Sequence, residues 1–163
     1  MATTGKAFVY GDDVNTDVIF PGKYTYTVTA RKEMAAHALE DLDPSFREQV
    51  QPGDVIVAGK NFGCGSSREQ AVICLKECGV AAIIAENFAR IYFRNAINEG
   101  LPVLVIPGAK ERITSGDEVR VDLAAGTVTA PSGTFTFPML PPEVQAILDA
   151  GGLVQYTRQK LGL

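Results

Sequence analysis

The chain is 163 residues long, 46% hydrophobic and 21% charged, an ordinary globular balance with enough apolar residues for a real core. A net charge of −4 and the absence of a basic face argue against a nucleic-acid partner, whose binding needs clustered cations. No basic-then-apolar leader and no apolar span of bilayer length is visible, so a soluble, cytoplasmic protein without a membrane partner is expected.

Residues 5–10 read as a short strand that runs into a polar turn, Gly11 to Asp17, rich in Asx-type side chains. Asp12, Asp13, Asn15, Thr16 and Asp17 lack the spacing and closing glutamate of a calcium loop and are expected to brace a neighbouring site. Residues 31–42 form an amphipathic helix candidate with Met34, Ala35, Ala38 and Leu39 on one side. After the Pro52-Gly53 turn the pattern alternates. A strand over 54–58 precedes a helix over 67–77 closed by Gly79; a strand over 80–85 precedes a helix over 88–98 closed by Gly100; a third strand covers 101–106. Continuous apolar strands separated by helices indicate a parallel sheet covered on both faces, with ligands gathering at the carboxyl ends of its strands. Residues 118–123 and 127–129 read as a hairpin around Ala124-Ala125-Gly126, and Pro141-Pro142 opens a last helix that stops at Gly151-Gly152. No repeat or linker divides the chain, so residues 1–163 read as one domain.

The run Gly59 to Glu69 leaves the carboxyl end of the first buried strand and opens a helix with two serines and an arginine. Gly63 and Gly65 permit backbone angles closed to other residues, and the free N–H groups and dipole of a helix start attract negative charge. Ser66 and Ser67 add hydroxyls, and Arg68 supplies a planar fork for a carboxylate or phosphate. The loop is therefore expected to hold an acid. Helix capping is the competing interpretation, because serines cap helices routinely and Glu69 so near the start is ordinary capping chemistry. A dinucleotide loop would need a third glycine where Arg68 stands, and a phosphate-binding P-loop would need Gly-Lys-Ser/Thr. A serine hydrolase would need a histidine base, and the sole histidine, His37, falls in a surface helix where a structural or solvated role is expected.

Three cysteines in a chain with no secretory signal are expected to be free thiols. Cys74 and Cys78, four apart on one helical face, read as small packing residues rather than metal ligands, and Cys64 as a space filler in the glycine loop. No cluster of cysteine, histidine and carboxylate suits a zinc or iron–sulfur site on this chain alone, so no metal is expected on it.

The motif Gly63-x-Gly65-Ser66-Ser67-Arg68-Glu69, with Asn15-Thr16-Asp17 upstream and Glu86-Asn87-Phe88-Ala89-Arg90-Ile91 through Arg94-Asn95-Ala96-Ile97-Asn98 downstream, resembles the isopropylmalate dehydratase small subunits. These are the aconitase superfamily's swivel domain made as a separate chain, and the likeness runs from about Gly5 to the Gly151-Gly152 turn; small subunits of 2,3-dimethylmalate dehydratase and homoaconitase are close relatives. The resemblance implies an α/β swivel-domain fold of β/β/α type, with a mostly parallel central sheet flanked by helices and a small β-hairpin. It implies a hydro-lyase active only with a large subunit that carries a 4Fe-4S cluster, as a heterodimer or heterotetramer.

By the same resemblance Ser66 takes the proton beside a carboxylate, Ser67 hydrogen-bonds the substrate and Arg68 binds its carboxylate, while Gly63, Cys64 and Gly65 support the loop. The segment after Pro21-Gly22 corresponds to the family's specificity loop, here Tyr24, Thr25, Tyr26 and Thr27. Homoaconitase-like members place an arginine there for an extra carboxylate; this chain has Thr25-Tyr26. That departure favours a malate with an uncharged substituent, isopropylmalate of leucine biosynthesis or dimethylmalate, and leaves the choice between them open. Arg31 is expected to be a solvated helix-start residue, Arg90 and Arg94 a subunit contact, and Tyr92 and Phe93 core. A stand-alone dicarboxylate-binding module, or a phosphate-binding protein, would use the same loop without a catalytic partner.

Overall fold

In the computed structural model, which describes residues 2–163, the chain runs β1 (Ala2–Val9), α1 (Thr16–Ile19), α2 (Arg31–Ala35), α3 (Phe46–Gln49), β2 (Val55–Val57), α4 (Gln70–Glu77), β3 (Ala82–Ala85) and α5 (Arg90–Glu99). It continues through β4 (Val103–Val105), α6 (Ala109–Arg112), β5 (Glu118–Asp122), β6 (Thr127–Ala130), β7 (Gly133–Thr136), α7 (Pro142–Ala150) and α8 (Leu153–Leu161), with a 3-10 turn at Gly22–Tyr24. The strands form one sheet in the order β4-β3-β2-β1-β5-β6-β7. The half from β4 to β1 is parallel and the half from β1 to β7 is an antiparallel meander, so β1 is the seam between them.

Register explains why the parallel strands read as unbroken apolar runs. Phe8, Ile56, Ile83 and Val103 lie in one cross-strand row and face the helices, packing with Phe20, Leu39, Val72, Leu75 and Ala96. The adjacent row, Val9, Val57, Ile84 and Leu104, faces the other way and packs with Val119, Val121, Val128 and Phe135 of the antiparallel half and with Ile113. Helices thus cover one face, while the sheet's own meander and the short α6 close the other. A strand buried on both sides looks the same in sequence whatever covers it, and the expected hairpin is extended by a third strand, β7.

Among the helices, three further departures from the sequence expectation stand out. The helix over 31–42 stops at Ala35, because Leu39 adopts a left-handed backbone (φ 56°) that buries its side chain completely and lets its N–H donate to Ile19 O at 2.8 Å. The helix expected from Ser67 starts at Gln70. Gly151-Gly152 ends α7 but does not end the helical chain: α8 follows, and none of its residues is buried, so no apolar stripe announces it.

Long polar side chains join the helices. Lys76 Nζ donates to the carbonyls of Glu99 and Gly151, the last at 2.8 Å, and so serves the carboxyl ends of α5 and α7 at once; burial pushes its pKa down. Arg31 pairs with Glu77 and Glu99, each at 3.0 Å, at the outer ends of α4 and α5. Asp54, only 5% exposed, accepts the N–H groups of Lys6 and Gln51 at 2.8 Å each, fixing the turn that feeds β2. Asp54→Ala strands both donors and should cost about 2–4 kcal/mol of stability, measured by urea unfolding.

Candidate active site

Three loops leave the carboxyl ends of β1, β2 and β3, and backbone hydrogen bonds stitch them together. The middle loop, 58–69, is held to the first by Asp13 N–H to Lys60 O, Gly63 N–H to Val14 O and Thr16 N–H to Cys64 O, each 2.8 Å. It is held to the third by Phe62 N–H to Asn87 O at 3.2 Å and Ala89 N–H to Phe62 O at 2.9 Å. Gly63 has φ 83°, and a Cβ there would lie 2.1 Å from Cγ of the Tyr92 ring, so only glycine lets the loop rest on α5. Tyr92 is buried, as expected for core, and donates to Ala71 O at 2.9 Å.

The result is a cleft of about 480 Å³ lined by Thr16, Gly63, Gly65, Ser66, Ser67 and Arg68 on one side and by Ala89 to Tyr92, Arg94 and Asn95 of α5 on the other. Ser66 and Ser67 lie ahead of α4 rather than in it. The residue before the helix is Glu69, which makes no side-chain cap, and neither serine hydroxyl receives a helix N–H. Capping therefore does not account for the serines. Among the described residues, the N–H groups of Ser66, Ser67, Arg68 and Glu69 have no acceptor. The first turn of α5, uncapped and without an acidic residue, also borders the cleft. Unpaired N–H groups and a helix amino end favour an anion.

Charge on the walls has the same sign. Arg90 and Arg94 are exposed and make no ion pair among the described residues. Arg68 is held firmly: Nη2 donates to Asp17 at 2.7 Å and to Phe20 O at 2.9 Å, and Nη1 donates to Thr25 Oγ1 at 3.0 Å. Its Nε is buried with no partner. Ser66 Oγ lies 3.4 Å from the hydroxyl of Thr16, which is buried.

The structure gathers Gly63, Gly65, Ser66, Ser67 and Arg68 in one cleft and adds Thr16, Arg90 and Arg94. Of segment 24–27, only Thr25 reaches that group, through Arg68; Tyr26 is 92% exposed. Tyr24 donates to Glu40 at 3.0 Å and stacks on His37 at 3.8 Å, and His37 Nδ1 lies 2.7 Å from the other Glu40 oxygen. The only histidine therefore supports the loop and is not a base for Ser66. Arg31, paired with glutamates, stays outside the cleft. Asp17 braces the site through Arg68, as the polar turn was expected to do, and Thr25 meets Arg68 from the loop already singled out, whereas Gln70 carries no local pattern that marks its contacts in advance.

The thiols occupy separate settings. Cys74 is fully buried and donates to Ile19 O, Cys78 donates to Ala35 O, and Cys64 sits in the loop. Among the described residues no group of three His, Cys, Asp or Glu side chains is arranged to hold a metal ion, and the cysteines do not fit an iron–sulfur cluster on this chain. Among the described residues no helix is long and apolar enough to cross a membrane.

A parallel half-sheet whose strand ends support a glycine-serine-arginine loop defines a class, and residues 13–108 match the family model described as Aconitase C-terminal domain. The chain is 49% identical to a 3-isopropylmalate dehydratase small subunit 2 of Archaeoglobus fulgidus over 98% of this chain and 96% of that one. It is 47% identical to a 3-isopropylmalate dehydratase small subunit of Heliobacterium modesticaldum over 99% and 98%. A crystal structure of 3-isopropylmalate dehydratase from Methanocaldococcus jannaschii superposes with a TM-score of 0.92 at 44% identity, covering 99% of this chain and 96% of that one. The chain belongs to the 3-isopropylmalate dehydratase small-subunit family.

Burial, and the nearby Asp13 charge, raise the Cys64 thiol above its ordinary 9.0, and burial pushes Cys78 to about 11. A raised pKa leaves less thiolate at neutral pH. Alkylation of both by iodoacetamide should be slower than that of a free cysteine peptide at pH 8 and should still be climbing above pH 9.0, as read by mass spectrometry.

Proposed function

We propose that this chain is the small subunit of an iron–sulfur hydro-lyase that dehydrates and rehydrates a substituted malate, interconverting 3-isopropylmalate and 2-isopropylmalate in leucine biosynthesis. One observation carries this reading. Among the described residues, the cleft joins unpaired N–H groups, paired serines and three arginines, with no histidine base and no group of three metal-ligating side chains. It is an acid-binding half-site, and its family supplies the remaining half on another chain.

Residues 1–163 act as one swivel-type domain that closes over a cytoplasmic large subunit. The 4Fe-4S cluster expected on that partner supplies Lewis-acid chemistry toward the substrate hydroxyl when bound. On this chain, the free N–H groups around Ser66 Oγ stabilise its alkoxide, which takes the proton from the carbon beside a carboxylate and becomes the neutral hydroxyl as the substrate's own hydroxyl leaves the adjacent carbon. Ser67 donates to the substrate, and Arg68, oriented by Asp17, Phe20 and Thr25, binds a carboxylate. Gly63, Cys64 and Gly65 shape the loop that presents them. Segment 24–27 brings no cation toward Arg68, since Lys23 turns to Glu40; this supports an uncharged substituent and disfavours homoaconitate.

The large subunit covers the rim formed by Arg90, Ile91 and Arg94, which separates the cleft from an apolar groove lined by Phe88, Phe93, Ile97, Val105 and Val144. Charge reversal at Arg90 and Arg94 should weaken subunit association by about tenfold or more without lowering the melting temperature, as measured by titration calorimetry.

The functional test is anaerobic co-expression with a cluster-bearing large subunit, following alkene formation from 3-isopropylmalate, 2,3-dimethylmalate and homocitrate by ultraviolet absorbance. Activity is expected only with both chains and highest with 3-isopropylmalate. Ser66→Ala should lower turnover on the order of a thousandfold while the subunits still assemble. Full activity in that variant would refute the role of Ser66, and strong binding of a dicarboxylate by this chain alone would instead mark a free-standing binding module.

A further inference from the structure

Segment 24–28 reaches the cleft through one side chain, yet its backbone is gripped from a second direction. Gln70, the first residue of α4, extends its carboxamide across to this segment, where Nε2 donates to Thr25 O at 3.0 Å and to Val28 O at 3.3 Å. Both neighbours are carbonyl oxygens, so the amide nitrogen and not its oxygen must face them. Within the segment, Thr27 and Val28 N–H groups return to Tyr24 O at 3.3 and 3.0 Å, leaving the carbonyls of Thr25 and Val28 to Gln70. The outer end is fixed separately, by Tyr24 on Glu40 and His37. Gln70 lies two residues after Arg68, whose Nη1 holds the Thr25 hydroxyl. One short stretch of chain thus carries the carboxylate-binding fork and the clamp on the segment beside it.

We propose that Gln70 is a positioning residue for substrate selection: by clamping two carbonyls of segment 24–28 it sets where Thr25 meets Arg68 and, through it, how the carboxylate-binding fork is presented to the cleft. The inference rests on the reading above that this segment governs which malate is accepted. Without the clamp, Thr25 no longer fixes one arm of the guanidinium, and the segment read as selecting the substituent loses its position relative to Arg68. The consequence falls on recognition rather than on proton transfer, because Ser66 is held by the other side of the loop through Thr16.

Gln70→Met keeps the length and helix propensity of the side chain and removes both donors. Two readouts test it. In the isolated chain, hydrogen exchange of the amides of 25–28 should quicken about tenfold with the rest unchanged and the melting temperature within about 2 °C. In the complex with the large subunit, KM for 3-isopropylmalate should rise about tenfold with kcat within about twofold, and the kcat/KM preference over 2,3-dimethylmalate should fall at least about threefold. Unchanged exchange in that segment, an unchanged KM and preference, or a fall in kcat alone would each overturn the proposal. A wild-type complex inactive on every malate would sink the functional reading instead, and the exchange experiment tells the two failures apart.

Discussion

The missing side chain at Gly63 is the constraint on which the site depends. Because nothing but hydrogen projects there, loop 58–69 lies directly against the Tyr92 ring, and the Gly63 N–H reaches Val14 O at 2.8 Å. Both contacts are needed to draw three loops from three parallel strands into one wall. The Tyr92 ring is itself braced edge-on by Phe62, with centroids 5.4 Å apart. An ångström more at this point would separate Ser66 and Arg68 from the α5 residues across the cleft, and the acid site would lose its second side.

Electrostatics follow from the same geometry. Helix amino ends and unpaired N–H groups act over short range, so they matter only if several converge on one volume. The parallel half of the sheet achieves this by placing the starts of α4 and α5 at the carboxyl ends of neighbouring strands. Arg68, Arg90 and Arg94 add full charges, and Asp17 is paired to Arg68 outside the cleft lining. The antiparallel half contributes no group to the cleft. It closes the back of the sheet and lets the parallel strands stay apolar on both sides.

Much of this was legible in the sequence because the signals are local. The strands at β2, β3 and β4 are unbroken apolar runs, glycines close α4 and α5, and the glycine-serine-arginine run marks the residues that the fold gathers in one cleft at the strand ends. What escaped depends on contacts between distant residues. The turn at Leu39 is decided by a hydrogen bond to Ile19 and not by helix periodicity. α8 buries no apolar face, and β7 is too short and polar to stand apart from a turn. Capping competed with acid binding as an interpretation of the serines because capping residues and anion-loop residues are the same types, and the start of α4 at Gln70 removes the capping interpretation. That Thr25 and Asp17 hold Arg68 is a fact of tertiary structure, although the polar turn containing Asp17 was already expected to brace the site.

The Lys76 ammonium has a mechanical meaning. Rooted in α4 and bound to the last carbonyls of α5 and α7, it ties three helices together, beside the Tyr92–Ala71 hydrogen bond and the Arg31 bridge between Glu77 and Glu99. The two walls of the cleft are the start of α4 and the start of α5, so they belong to a single block, and parting them would strip two carbonyls of a charged donor. The two walls of the cleft therefore move together, and a motion that parted them would first have to break the Lys76 bonds.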